Sequence, residues 1–463
     1  MPLELVIHIV KKVAEQPPPS EARLHDEPSS DFFSSSLQSL KALSLCNHTL
    51  RDLSTPYLFQ HIIVDVEAAV GDVIDVVLDK TRGKGVDSLL ICAPKTLRDK
   101  VEMSAQERMA RNLEGLRDIH QHLRENNVEL RDLSPIDASE NDEDSLNDED
   151  RSLASAACLA IHLLLSEFNP RVLTVALPPH TIANLVSAPV ELYHETPFHL
   201  PLQILRLELD KATLCKCCAS SHNRSSDSED EAEEEDDTNE DGEDSDKSGE
   251  DSNEGGEDSN SKTGVEDSTY RYSLFRLRPW AHITFNAGSS LPAYQAAPKE
   301  RNYPEHPSWV NDTHIFPDDA KSALVPLLSG IESFTFIGSY CFSGTYTALG
   351  TLVRSLKNLK ALRIRMLPLA VTQSVQGEKE YHRDGATRQV RGRELVKSVY
   401  TLCSFMLEVG SDERMSLQEF KLLDFGRWEK FNGVAEPHFE ENLDESVWLY
   451  EGKGLYLRKG SPR

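Results

Sequence analysis

The densest set of metal-type ligands in the sequence is Cys215-Lys-Cys217-Cys218 with His222. Three thiolates and an imidazole suffice for a tetrahedral zinc ion, but zinc knuckles usually pair ligands about two to four residues apart. Adjacent Cys217 and Cys218 cannot both turn their sulfurs to one ion with good geometry. The expectation is therefore free thiols, with no metal and no cofactor.

Two further triplets imitate phosphoryl-transfer chemistry. His382-Arg383-Asp384 and Asp424-Phe425-Gly426 match the base-bearing and magnesium-bearing triplets of protein kinases. Gln389 stands where that pattern needs an asparagine, and no glycine-rich phosphate loop precedes them. There is no G-x-S-x-G, H-E-x-x-H or G-x-x-x-x-G-K either. Single histidines such as His162, inside an apolar helical stretch, read as core or boundary residues. The sequence holds no catalytic set, and no enzymatic activity is expected.

The elements that would position such residues alternate between helix and strand. PLELVIHIVKKV, residues 2 to 13, places Leu3, Val6, Ile9, Val10 and Val13 at helical spacing, with Pro2 where a first-turn proline is tolerated. Pro17-Pro18-Pro19 follows. LQSLKALSLCNHTLRDLS then reads as two short helices with a break near Leu45 to Asn47, the second ending at Pro56.

From Ile62 onward short apolar runs alternate with helices. Strands are expected at 86–92, 171–177, 202–209, 331–337, 359–365 and 417–425, and helices at 152–168, 345–357 and 394–408. Three strands open with an L-x-x-(L/F)-x-L half-motif, at Leu202, Leu359 and Leu417, with Ile364 in the last place of the second. The spacing of 28 residues from Ile331 to Leu359 suits one leucine-rich repeat. The fold class is α/β, either an irregular leucine-rich-repeat-like solenoid or an ordinary α/β or α+β domain.

The chain has 463 residues, 39% of them hydrophobic, and a net charge of −28. Residues 227 to 258 hold 19 acids and one lysine, and residues 137 to 150 hold 8 acids and no base. Outside these stretches the net charge is −2, too little basic excess for tracking nucleic-acid phosphates. The acidic stretches have too few apolar residues to offset their ordering entropy and read as disordered loops. Ser226 and Ser228, each three residues ahead of an acid (Glu229, Glu231), suit an acid-directed kinase.

Eight cysteines in a chain of this length, with no apolar leader before Pro2, do not form a secreted disulfide framework. No apolar run approaches the roughly 20 residues of a membrane helix. A soluble protein of the cytoplasm, the nucleus or both is expected, with no membrane partner.

The N-terminal module resembles an F-box of the filamentous-fungal type. The family's opening L-P-x-E-L-x-x-x-I is met by Met1-Pro2-Leu3-Glu4-Leu5 with Ile9 in register. Its middle is met by Leu40, Leu43, Leu45, Cys46, Asn47, His48, Leu50 and Leu53, and its P-x-L-F-x-x-I ending by Pro56, Tyr57, Leu58, Phe59 and Ile62. His48 and Leu50 stand where the family carries a basic residue and an aromatic one.

The resemblance implies the substrate-receptor subunit of an SCF-type cullin–RING ubiquitin ligase. A three-helix module, residues 1–63, would dock on a Skp-type linker through Pro2, Leu3, Leu5, Ile9, Leu45, Cys46 and Leu50. The α/β region, 64–214 and 269–463 around an acidic insert at 215–268, would hold a protein substrate. The alternative use of the seven residues is simply to pack the module. The alternative function is a nuclear scaffold whose acidic loop binds basic proteins such as histones.

Overall fold

The computed structural model describes residues 2–14, 24, 38–68, 85–94, 105–126, 148–186, 202–210, 273–289, 324–339, 343–367, 385–425, 429–443, 445 and 447–460. The acidic insert, Cys215, Cys217, Cys218, His222, Ser226, Ser228 and His382-Arg383-Asp384 all lie outside these residues.

Three helices come first: α1 (Leu3–Ala14), α2 (Gln38–Cys46) and α3 (His48–Leu58), each packed on the other two. The break between α2 and α3 is a capping event. Asn47 takes an extended backbone and its Oδ1 accepts the Leu50 N–H at 2.8 Å, satisfying one of the free donors of the first turn. Pro56 does not end α3, which runs two residues further. Its fixed φ is helical and, this close to the C-terminus, its missing N–H costs the helix one bond.

The rest forms a mixed α/β structure around one ten-stranded sheet. Its strands are β1 (His61–Asp65), β2 (Ser88–Cys92), β3 (Val172–Leu177), β4 (Gln203–Leu209), β5 (Trp280–Ser289), β6 (Ser333–Ser339), β7 (Ala361–Arg365), β8 (Glu419–Leu422), β9 (Trp448–Gly452) and β10 (Leu455–Arg458). From β1 to β8 neighbours in the sheet are neighbours in the chain, and the β9–β10 hairpin adds through β10. Up to β8 every pairing is parallel except the two made by β4. The Leu202 copy of the half-motif therefore runs backward relative to those at Leu359 and Leu417.

The helices of this region are α4 (Ala105–Glu125), α5 (Asp148–Phe168), α6 (Pro179–Leu185), α7 (Leu324–Leu327), α8 (Ser343–Ser355), α9 (Gly385–Ser411) and α10 (Glu429–Asn442). The last acids of the 137–150 stretch, Asp148, Glu149 and Asp150, begin α5 rather than belonging to a loop. No described helix is long and apolar enough to cross a membrane.

The parallel strands share one unit. Apolar residues recur in the order Φ-x-x-Φ-x-Φ at Trp280, Ile283 and Phe285, at Ile331, Phe334 and Phe336, at Leu359, Leu362 and Ile364, and at Leu417, Phe420 and Leu422, all buried. The pairing places each second and third member beside its counterpart. At four junctions two successive N–H groups of the incoming strand donate to one carbonyl of the strand before: Asp87 and Ser88 to Gln60, Arg171 and Val172 to Asp87, Lys360 and Ala361 to Glu332, and Gln418 and Glu419 to Lys360.

Right-handed crossovers that always advance in one direction deliver their helices to one face. Ring contacts mark that face in the second half of the sheet: Phe336 meets Tyr346 of α8 at 6.1 Å between centroids, and Phe420 meets Phe439 of α10 at 6.0 Å. Alternation sends Arg206 and Glu208 to the opposite face, where they pair at 2.7 Å.

In the first half, α4 packs against α5 and α6. Its Met109, Leu113, Leu116, Ile119 and Leu123 are buried. Gly115 lets α4 approach the chain leaving β1, because an added Cβ would overlap the Val66 carbonyl oxygen. Backbone cannot swing away as a side-chain tip can, so Gly115→Ala is expected to cost about 1–3 kcal/mol. Urea unfolding of the two proteins checks this.

Candidate functional site

The described residues contain no group of three His, Cys, Asp or Glu side chains that could hold a metal ion. Cys92, Cys158 and Cys403 are buried free thiols. Burial pushes Cys403 up to about 11 and raises the other two, keeping all three protonated and weak as nucleophiles near neutral pH. Asp424 is also buried, and its Oδ2 accepts the Met366 N–H at 2.6 Å, joining the ends of β7 and β8.

His162 is half-buried on α5, and its Nδ1 has no partner among the described residues. Burial, then Arg278, lowers its pKa. His180 on α6 is more enclosed: both ring nitrogens lack a described partner, and burial followed by Arg108 again lowers the pKa. A histidine held below its unfolded value near 6.5 contributes stability that is present above that value and lost as pH falls. Unfolding free energy should be flat from pH 7 to 8 and fall below about 6.5. His180→Leu should make the acid limb shallower, measured by denaturation at stepped pH.

The arrangement with the most capacity for function is a surface on the N-terminal module. Val10 and Leu40 fill the module's interior, at 1% and 2% exposure. Leu5 is 48% and Leu45 78% exposed, and Leu3 and Ile9 also face solvent. Pro2 and Cys46 are exposed, and Leu50 is half-buried. Of the seven residues expected to dock on a linker, packing thus leaves six outward.

The α1 stripe divides accordingly. Val10 turns inward, Val6 and Val13 are half-buried, and Leu3 and Ile9 point out. Ile7, one turn beyond Leu3, adds another exposed side chain that the motif did not single out. A short helix that is apolar on both sides needs cover on both sides. Cys46 bonds only locally, its thiol donating to the Ala42 carbonyl at 3.2 Å.

A second surface is the sheet face opposite the aromatic contacts. One row of pairing partners across it reads Thr174, Arg206, Thr284, Thr335, Arg363 and Lys421. Arg363 pairs with Glu419 at 3.0 Å, and His61 Nδ1 meets Ser88 Oγ at 2.6 Å. This row is polar and rich in donors from β3 to β8, while the row beside it on the same face runs Cys92, Ala176, Ile204 and Asn286 and is largely apolar.

No family model matches the chain, and no curated protein or solved structure matches it.

Proposed function

We propose that the chain is a substrate-receptor subunit of an SCF-type cullin–RING ubiquitin ligase. The observation that carries this reading is the outward turn of Leu3, Leu5, Ile9 and Leu45, on the module whose motifs resemble an F-box. Burying apolar side chains yields roughly 25 cal/mol per Å2, so a linker covering them has a driving force already on the surface. The linker would be of the Skp type, and the remaining chain would hold the substrate.

The receptor half fits a leucine-rich-repeat-like role. Its strands follow chain order, share the Φ-x-x-Φ-x-Φ unit and carry a polar, pairing-rich row on the face away from the aromatic core. An adaptor performs no covalent step. It acts by raising the local concentration of substrate near a tethered ligase, in the cytoplasm or the nucleus.

The test is co-expression of the intact chain with a Skp-type linker and the N-terminal half of a cullin, followed by size-exclusion chromatography. The expected result is co-elution of all three at equal stoichiometry. Separate elution of a folded chain and a linker–cullin pair would defeat the reading.

A further inference from the structure

Leu24 lies between α1 and α2 in the sequence, yet it is buried in the sheet domain. It is 7% exposed and clusters with Leu90, Cys92, Ala176 and Ile204. Cys92, Ala176 and Ile204 are successive partners in one row across β2, β3 and β4, and Asn286 of β5 is the next. All lie on the sheet face opposite the helix-covered aromatic contacts. Ala176 is the smallest member of that row, and Leu24 packs in one buried cluster with it.

The fourth position supplies a polar anchor. Asn286 is 3% exposed, and its Nδ2 donates to the Leu24 carbonyl at 3.0 Å. Its Oδ1 accepts the Gly288 N–H at 3.0 Å, across the bulge of β5. The amide is thereby oriented from inside the sheet, with its donor aimed at whatever chain crosses the row.

The sequence around Leu24 has the composition of a recognition motif rather than of a core element. PPSEARLHDEPSS, residues 18 to 30, contains one large aliphatic side chain among prolines, serines and charges. One apolar anchor beside a hydrogen bond to the main chain is a pairing by which short peptides are held, the pocket giving specificity and the backbone bond register.

We propose that this row is a peptide-reading site, selective for a leucine-sized side chain whose carbonyl meets Asn286, and that Leu24 is its resident occupant. A protein ligand of the receptor domain must then present the same chemistry and displace Leu24. The proposal rests on the receptor role of the sheet domain. It does not depend on the linker, since Leu24 is not among the exposed residues of α1 and α2.

The probe is a fluorescein-labelled peptide of residues 18 to 30, titrated into the full-length chain by fluorescence anisotropy. Leu24→Gly should bind it about 10- to 100-fold more tightly than the unaltered chain, the range one buried leucine spans. Adding Asn286→Ala should weaken that binding about tenfold, and a peptide with glycine at the leucine position should not bind. Far-UV circular dichroism and a cooperative melt establish the fold, and Leu24→Ala replaces the glycine variant should it not fold.

Equal binding by altered and unaltered chains, or binding of the glycine peptide, would overturn the proposal and leave Leu24 as a fastening of the module to the sheet. Linker co-elution is scored on the same proteins. Loss of linker with peptide binding intact counts against the adaptor reading alone, and the reverse pattern counts against the peptide site alone.

Discussion

Leu5→Asp or Leu45→Asp in the intact chain is expected to reduce capture of a Skp-type linker by at least about 30-fold, with the fold unchanged. Both side chains are in solvent, Leu45 more so than any other large apolar residue described as exposed. A carboxylate there meets water in the free protein, and surface changes of this kind shift stability by no more than about 0.5 kcal/mol. In a complex the same carboxylate would be buried against an apolar partner without a counter-charge. Loss of a central apolar anchor costs about 2 kcal/mol or more, which is the expected factor in affinity. Val10→Asp separates docking from folding, because Val10 is 1% exposed and its charge would have to be buried inside the module. Isothermal titration calorimetry with purified linker gives the affinities and thermal melts give the stabilities. Undiminished linker binding by both surface variants would remove α1 and α2 as the docking face.

Phe420→Ala is expected to have the largest effect on stability, about 3–5 kcal/mol, measured as a lower urea midpoint at unchanged slope. Phe420 is fully buried in β8. Its ring stacks near Phe439 of α10 at 6.0 Å and lies 5.9 Å from Tyr456 of β10, while Phe439 and Tyr456 are 5.7 Å apart. Three elements of the C-terminal region, β8, α10 and β10, meet at this ring. Truncation opens a cavity that backbone on a paired strand cannot collapse to fill. A change in slope as well as midpoint would indicate that the C-terminal hairpin unfolds separately.

Much of the fold was legible in the order of residue types. The expected helices at 152–168, 345–357 and 394–408 correspond to α5, α8 and α9, and all six expected strands are present. What escaped had weaker or misleading local signals. The unit in β5 is written Trp280, Ile283, Phe285, so a search for leucines passes over it. α4 carries Met109, Leu113, Leu116, Ile119 and Leu123 at helical spacing, with mostly polar and charged residues filling the positions between them.

The direction of β4 was illegible in principle, because an alternation of period two reads the same from either end. The candidate surface was half legible. Motif order singled out Leu3, Leu5, Ile9 and Leu45, but residue type cannot distinguish Val10, which packs inward, from Ile9, which does not. Leu24 gave no periodic signal, being one apolar residue in a polar stretch. Only its partners from β2, β3 and β4 reveal it.

The reversal of β4 has a consequence for how this chain tolerates change. Leu209 at the end of β4 pairs with Trp280 at the start of β5, so the long stretch between them leaves and rejoins the sheet at neighbouring points. The ladder fixes those two ends side by side whatever length of chain joins them. The stretch that carries the acidic run can therefore grow or shrink by many residues without displacing a single partner in the ladder. Lengthening the tight turn between β9 and β10 would have to be absorbed by the register of the hairpin itself.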